Sequence, residues 1–235
     1  MVAVRLLHCQ SSSTEETIYN DDELTSGFRR ISLSGEKFVA DSLYLSLWFP
    51  DFEVGDMLPR ALSVMRQFPF SAQRPGINYV ALHPVSWDEA TVLEQSFKPG
   101  IRAEEAVLRA SDLLHEDYAY VFEAAWDLWV VEQRQMQWVL QPSPVKFVVR
   151  GEEFDEGAYR EEGHIQVDFG FDSPFLQENM ELTKEAEQQV RANVQKLVDF
   201  TTNVEKHSHV SGRLLWSESE ENLAQKLIAR LQRVQ

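Results

Sequence analysis

No disulfide can form within this chain, because Cys9 is its single cysteine among 235 residues. That removes the cysteine frameworks that staple small secreted domains and points to a reducing, cytoplasmic setting. Cys9 also lies in a segment without packing periodicity, where nothing electropositive would lower its thiol pKa, so a cysteine nucleophile is not expected. Glycine is scarce, at 10 residues, and neither G-x-x-x-x-G-K-[ST] nor G-x-G-x-x-G occurs, which argues against a glycine-rich loop cradling phosphates. The serine-hydrolase elbow G-x-S-x-G is missing as well. Positive charge is in deficit: 22 Lys plus Arg face 38 Asp plus Glu, a formal net charge of -16. A nucleic-acid backbone would meet repulsion, and Arg29-Arg30, Lys226, Arg230 and Arg233 are too few and scattered to form a basic groove. No window reaches 18 uninterrupted apolar residues, so no membrane span is expected. The opening run from Met1 to Cys9 is too short for a secretory signal.

What is present is material for a core. Hydrophobic residues make up 43% of the chain, with 14 Phe, 6 Trp and 6 Tyr, enough for one large domain or two small ones. Residues 10–27 are rich in Ser, Thr, Glu and Asp without apolar periodicity, so 1–27 reads as a mobile leader. Strict alternation then predicts a strand over Leu43 to Phe49, with Leu43, Leu45, Leu47 and Phe49 on one face. Met57, Leu58, Ala61, Leu62, Met65 and Phe68 recur at helical spacing, with Pro59 assigned to the first turn. A strand over Ile77 to His83 follows. Ser86-Trp-Asp-Glu89 reads as a capping box opening a short helix through Phe97, and a second helical stripe runs from Ile101 to Leu114.

Tyr118 to Val131 alternates again, and Met136 to Leu140 and Val145 to Val149 read as two further strands split by Pro142-Ser-Pro144. An acidic loop from Glu152 to Glu162 precedes a strand with Ile165, Val167, Phe169 and Phe171 inward and His164, Gln166, Asp168 and Gly170 outward. A long helix from Gln177 to about Glu205, a short strand from Gly212 to Trp216, and a terminal helix carrying Leu223, Leu227, Ile228 and Leu231 complete the series. The fold class is α+β, with largely antiparallel sheets and helices packed on one face. A loose repeat of element order suggests two tandem ferredoxin-like two-layer halves, residues 28–135 and 136–235.

The chemistry-bearing residues are sparse. His207-Ser-His209 resembles a metal-ligand spacing, but at the end of a polar helix it reads as a solvated connection, and the acidic loop lacks the central glycine of a calcium loop. No metal and no cofactor are expected. Strand parity places Glu123 and Asp127 on one face of their strand and His164 and Asp168 on one face of theirs. If those strands are neighbours, three carboxylates and an imidazole gather into an acid/base cluster, the catalytic alternative; otherwise they are the polar face of a half-exposed sheet. Trp126 and Trp129 have opposite parity, so one must meet another layer, a ligand or a partner. With Trp138 they make the preferred expectation: a non-catalytic interaction or binding module, with a protein partner or a second copy meeting the strands of residues 118–150.

Overall fold

The computed structural model describes residues 41–132, 137–176 and 183–218. The expected leader, residues 133–136 with the first residue of the strand expected from Met136, the start of the long helix and the terminal helix fall outside the described residues. In chain order the elements are β1 (Ser42–Trp48), α1 (Val54–Met65), β2 (Ile77–Pro84), β3 (Leu93–Ile101), α2 (Ala103–Ser111), β4 (Tyr118–Glu132), β5 (Gln137–Arg150), a 3-10 turn (Phe154–Gly157), α3 (Tyr159–Glu162), β6 (Ile165–Phe171), α4 (Ser173–Leu176), α5 (Lys184–His207) and β7 (Gly212–Ser217). The strands form one seven-stranded sheet in the order β3-β2-β4-β5-β6-β1-β7, and every pair is antiparallel.

Period-two alternation assigns the two faces. Leu43, Leu45 and Leu47 of β1, Val80 and Leu82 of β2, Tyr120, Phe122 and Trp126 of β4, Val145, Phe147 and Val149 of β5, and Ile165, Val167 and Phe169 of β6 form a continuous apolar surface. Three helices cover it. Met57, Leu58, Ala61, Val64 and Met65 of α1, the alanines 103, 106 and 110 of α2, and Val190, Val194, Leu197, Phe200 and Val204 of α5 all belong to the same core. The α+β class with helices on one face of antiparallel strands is therefore what the chain adopts.

Five local expectations need correction. Residues 93–101 are strand, not the end of a helix: Leu93, Gln95 and Phe97 alternate with exposed Glu94, Ser96 and Lys98, and pairing with β2 overrides the capping-box signal, which makes only a turn at Glu89. Pro59 lies in the second turn of α1; it is exposed, so the carbonyl it leaves unbonded can face water. Phe171 is half exposed rather than inward. The acidic loop contains a 3-10 turn and one helical turn.

The fifth correction concerns β5, which runs unbroken through Pro142 and Pro144. The reason is edge geometry. Strand β2 leaves β4 at Ala124 and β6 leaves β5 at Lys146, so the hairpin continues outward without strand neighbours among the described residues. On β4 the Ala125, Asp127 and Trp129 carbonyls point away from β5, accepting from Ser71 N, Lys196 Nζ and Asn193 Nδ2. Their partners on β5, Pro144, Pro142 and Leu140, share that outward parity. A missing N–H there breaks no rung with β4, and it blunts the edge against further strand pairing.

The two halves expected on either side of residue 135 share this one sheet: β1 lies between β6 and β7, not beside β2. No helix among the described residues is long and apolar enough to cross a membrane.

Asn193 of α5 stands in for an absent strand. Fully buried, it accepts from Trp129 N at 2.9 Å and donates to Trp129 O at 2.7 Å and to Pro174 O at 2.9 Å. Asn193→Ala strands both Trp129 peptide groups, and a loss of roughly 3 kcal/mol in urea unfolding is expected; a loss below about 1 kcal/mol would mean that water replaces the amide without penalty.

Candidate functional site

The face of the sheet opposite the helices holds all four of the expected acid/base residues. Two cross-strand rows organise it. The first reads Tyr79, Glu123, Lys146, Asp168, Tyr44 and Trp216 across β2, β4, β5, β6, β1 and β7. Glu123 and Asp168 do share this row, but Lys146 stands between them. It lies 3.7 Å from the Glu123 carboxylate and directly opposite Asp168. Opposite charges alternating across strands are a means of sheet stabilisation. Asp168 also accepts from Gly170 N at 2.8 Å. Tyr79 sits at one end, its phenol pushed up to about 12 by burial first and by Glu94 second. At the other end the Tyr44 and Trp216 rings lie 4.6 Å apart.

Asp127 is not part of this row. Its two oxygens accept from Ser71 Oγ at 2.5 Å and from Ala72 N at 3.0 Å, which holds the turn after α1 against β4. His164 lies at the opposite end of the face. Phe49 N donates to its Nδ1 at 3.0 Å, which leaves the proton of the neutral ring on Nε2. The ring is 6% exposed and is stacked between Phe52, at 4.2 Å, and Tyr159, at 4.8 Å. Gly163 makes the approach possible: its φ is 92°, and a Cβ there would come within 2.8 Å of Leu47 N. Burial lowers the imidazole pKa to about 4. Phe52 also lines a cavity of about 260 Å³ with Glu53, Val54, Met57, Glu116 and Glu152. Among the described residues, no group of three His, Cys, Asp or Glu side chains converges closely enough to hold a metal ion.

Sequence parity misses the second row. His83 of β2 pairs with Ala119 of β4, which pairs with Arg150 of β5, and Arg150 N donates to His164 O at 2.9 Å. Arg150 is only 2% exposed; its Nη2 donates to Glu162 and, at 2.9 Å, to Gln166 Oε1. Trp87 lies across this row, 4.9 Å from the His83 ring and 5.8 Å from the Arg150 guanidinium carbon. Nothing in the residue pattern announces a buried arginine, because its burial depends on the two loops that close over it, 84–92 and 151–163.

The tryptophans divide. Trp126 is fully buried, stacked on Phe169 at 5.2 Å and near Phe68 and Phe175, so it belongs to the core and presents no surface. Trp129 and Trp138 are half buried on the outer hairpin, where register groups Trp129 with Leu140 and Val131 with Trp138. Comparison with protein-family models, with curated proteins and with solved structures returns no match for this chain.

His164 sets an acid limit on stability. Its folded pKa is lowered from 6.5 to about 4, so below pH 6.5 the unfolded chain takes up a proton that the folded one refuses. This contribution is whole above about pH 6.5 and falls away towards pH 4, by up to about 3 kcal/mol at 1.36 kcal/mol per pH unit. His164→Phe should be less stable at neutral pH, because Phe49 N loses its acceptor, but should lose less between about pH 6.5 and 4.5 in urea titrations. Parallel decline of both proteins would assign the acid sensitivity elsewhere.

Proposed function

We propose that the chain is a non-catalytic protein-interaction module whose contact surface is the outer end of the β4–β5 hairpin. The observation that carries this reading is the hairpin itself, which outruns its neighbours among the described residues and places Trp129, Val131 and Leu140 on one face by register, beside Trp138, which packs partly against the core. Leu140 is 41% exposed. Charge is depleted there: Glu132 is the sole ionisable residue among described residues 128–132 and 137–144, in a chain that is 26% charged. Aromatic enrichment with loss of charge is the composition of an interface core. The occupant proposed is a second copy, for which a charge-poor patch is where two molecules of net charge -16 repel least. A reducing, cytoplasmic setting belongs to the same proposal, supported by the single cysteine. So does descent from two ferredoxin-like halves, supported by the repeated element order alone.

The alternative, a small-molecule or acid/base site using Glu123, Asp127, His164 and Asp168, is supported by their common face. Against it, Glu123 faces Lys146, Asp127 and Asp168 are taken up by backbone donors, and His164 is stacked between two rings with its Nδ1 occupied.

Light scattering coupled to size exclusion tests the preferred reading. The expected mass is twice the 27.1 kDa of one chain, and Leu140→Glu should return it to one chain with an unchanged melting temperature. A wild-type protein that remains a monomer at every concentration up to about 0.1 mM, corresponding to a Kd weaker than roughly 5 kcal/mol of association, removes the claim.

A further inference from the structure

The row His83–Ala119–Arg150 has the parts of a small-ligand site, and the chain's own Trp87 fills it. Directly paired residues share a face, so His83 and Arg150 flank Ala119 on the side away from the helices, about 10 Å apart at two strand spacings. Alanine is too short to fill the space between two long side chains. The Trp87 indole does so instead, touching His83 and Arg150 on either side and the edge of Phe154 at 5.0 Å.

Two features distinguish this arrangement from ordinary packing. Arg150 Nε, Arg150 Nη1 and His83 Nδ1 are all buried without a hydrogen-bond partner, and both side chains adjoin the one indole. Buried polar groups are rarely left unpaired, and three around one ring call for an occupant that can pair them. Indole cannot, because its single polar group is one N–H donor. The second feature is the hold on Trp87. It is 39% exposed, in a segment without helix or strand, two residues after Val85, a β-branched residue held at φ 61°. That conformation is strained for valine. It is enforced by Val85 N donating to Asp117 O and Val85 O accepting from Asp155 N, both at 2.7 Å. Asp155 itself has φ 49°.

We propose that this slot binds a flat aromatic carboxamide, or a ring with the same donor and acceptor pair, which takes the place of the Trp87 indole. The ring occupies the indole's position between Phe154 and the guanidinium. Its carbonyl accepts from the unpaired Arg150 N–H groups, and its NH2 donates to His83 Nδ1, the acceptor of a ring whose pKa burial lowers. A neutral acceptor suits the slot better than a carboxylate, because Glu162 already neutralises Arg150 and Asp155 adds further negative charge nearby. The site lies at the opposite end of the β4–β5 pair from the proposed contact surface and stands or falls without it.

The test is titration of the full-length protein with benzamide, followed by two-dimensional NMR of the tryptophan indole N–H signals. In wild type, the Trp87 signal, assigned through its absence in Trp87→Ala, should shift as the side chain leaves the slot. Trp87→Ala removes the competing occupant and should bind benzamide about tenfold more tightly or better, as removal of a closed-state population requires. It should also prefer benzamide to toluene by about tenfold, the discrimination expected when buried polar partners are met rather than left unpaired. His83→Phe should weaken benzamide binding in wild type and leave toluene unaffected. Equal binding of the two probes by Trp87→Ala overturns the proposal, since the slot would then be a plain apolar hole. So does a wild-type spectrum in which none of the 6 tryptophan indole N–H signals moves, a reading that needs no assignment and holds even if Trp87→Ala does not fold.

Discussion

Strands β4 and β5 pair along all 14 residues of β5, farther than either outer neighbour reaches, and every peptide group on their free edges must find a partner that is not a strand. Much of the molecule answers that constraint. Helix α5 lies along β4 so that Asn193 imitates a strand residue and Lys196 reaches the Asp127 carbonyl. The turn after α1 supplies Ser71 to the Ala125 carbonyl. On the other edge Pro142 and Pro144 remove donors that would otherwise invite pairing. Helix placement, loop course and proline position all follow from satisfying one overlong hairpin.

The same hairpin divides the molecule's two faces. Helices close one side over Trp126, Phe147 and Phe200, with rings meeting edge-on and stacked at between 5.2 and 5.9 Å. The other side carries the charged row and, beside it, the small buried cluster of Ala81, Val121 and Val148, and at one end 84–92 and 151–163 meet over Arg150. Gly151 permits that meeting: a Cβ there would fall 1.9 Å from Glu116 O. Burial of charge, strain and unpaired nitrogen atoms is concentrated at this closed end.

Alternation made β1, β4 and β6 legible, because one face of each is apolar at every second residue and no helix periodicity competes. It failed at β3, whose alternating side chains Glu94, Gln95, Ser96 and Phe97 are mostly polar and whose strand state comes from pairing with β2. It failed at β5, where proline is compatible with a strand only because of edge parity that no local pattern records. The common face of Glu123 and Asp168 was readable. The strand between them was not, since strand order is a property of the whole chain, and with it went the intervening Lys146. Arg150, His83 and Trp87 come from three separate segments, and only the closed loops show that they meet.

Strand β1 is inserted between β6 and β7, so Leu45 waits for Val167 and Leu215, residues far along the chain. During synthesis β1 emerges with Leu43, Leu45 and Leu47 exposed and stays without its neighbours until residues 165–171 and then 212–217 have been made. Closing so long a loop slows assembly, and an apolar strand held open is where chaperone contact or misassociation concentrates. Among the described residues β7, the last strand made, completes the flank of β1.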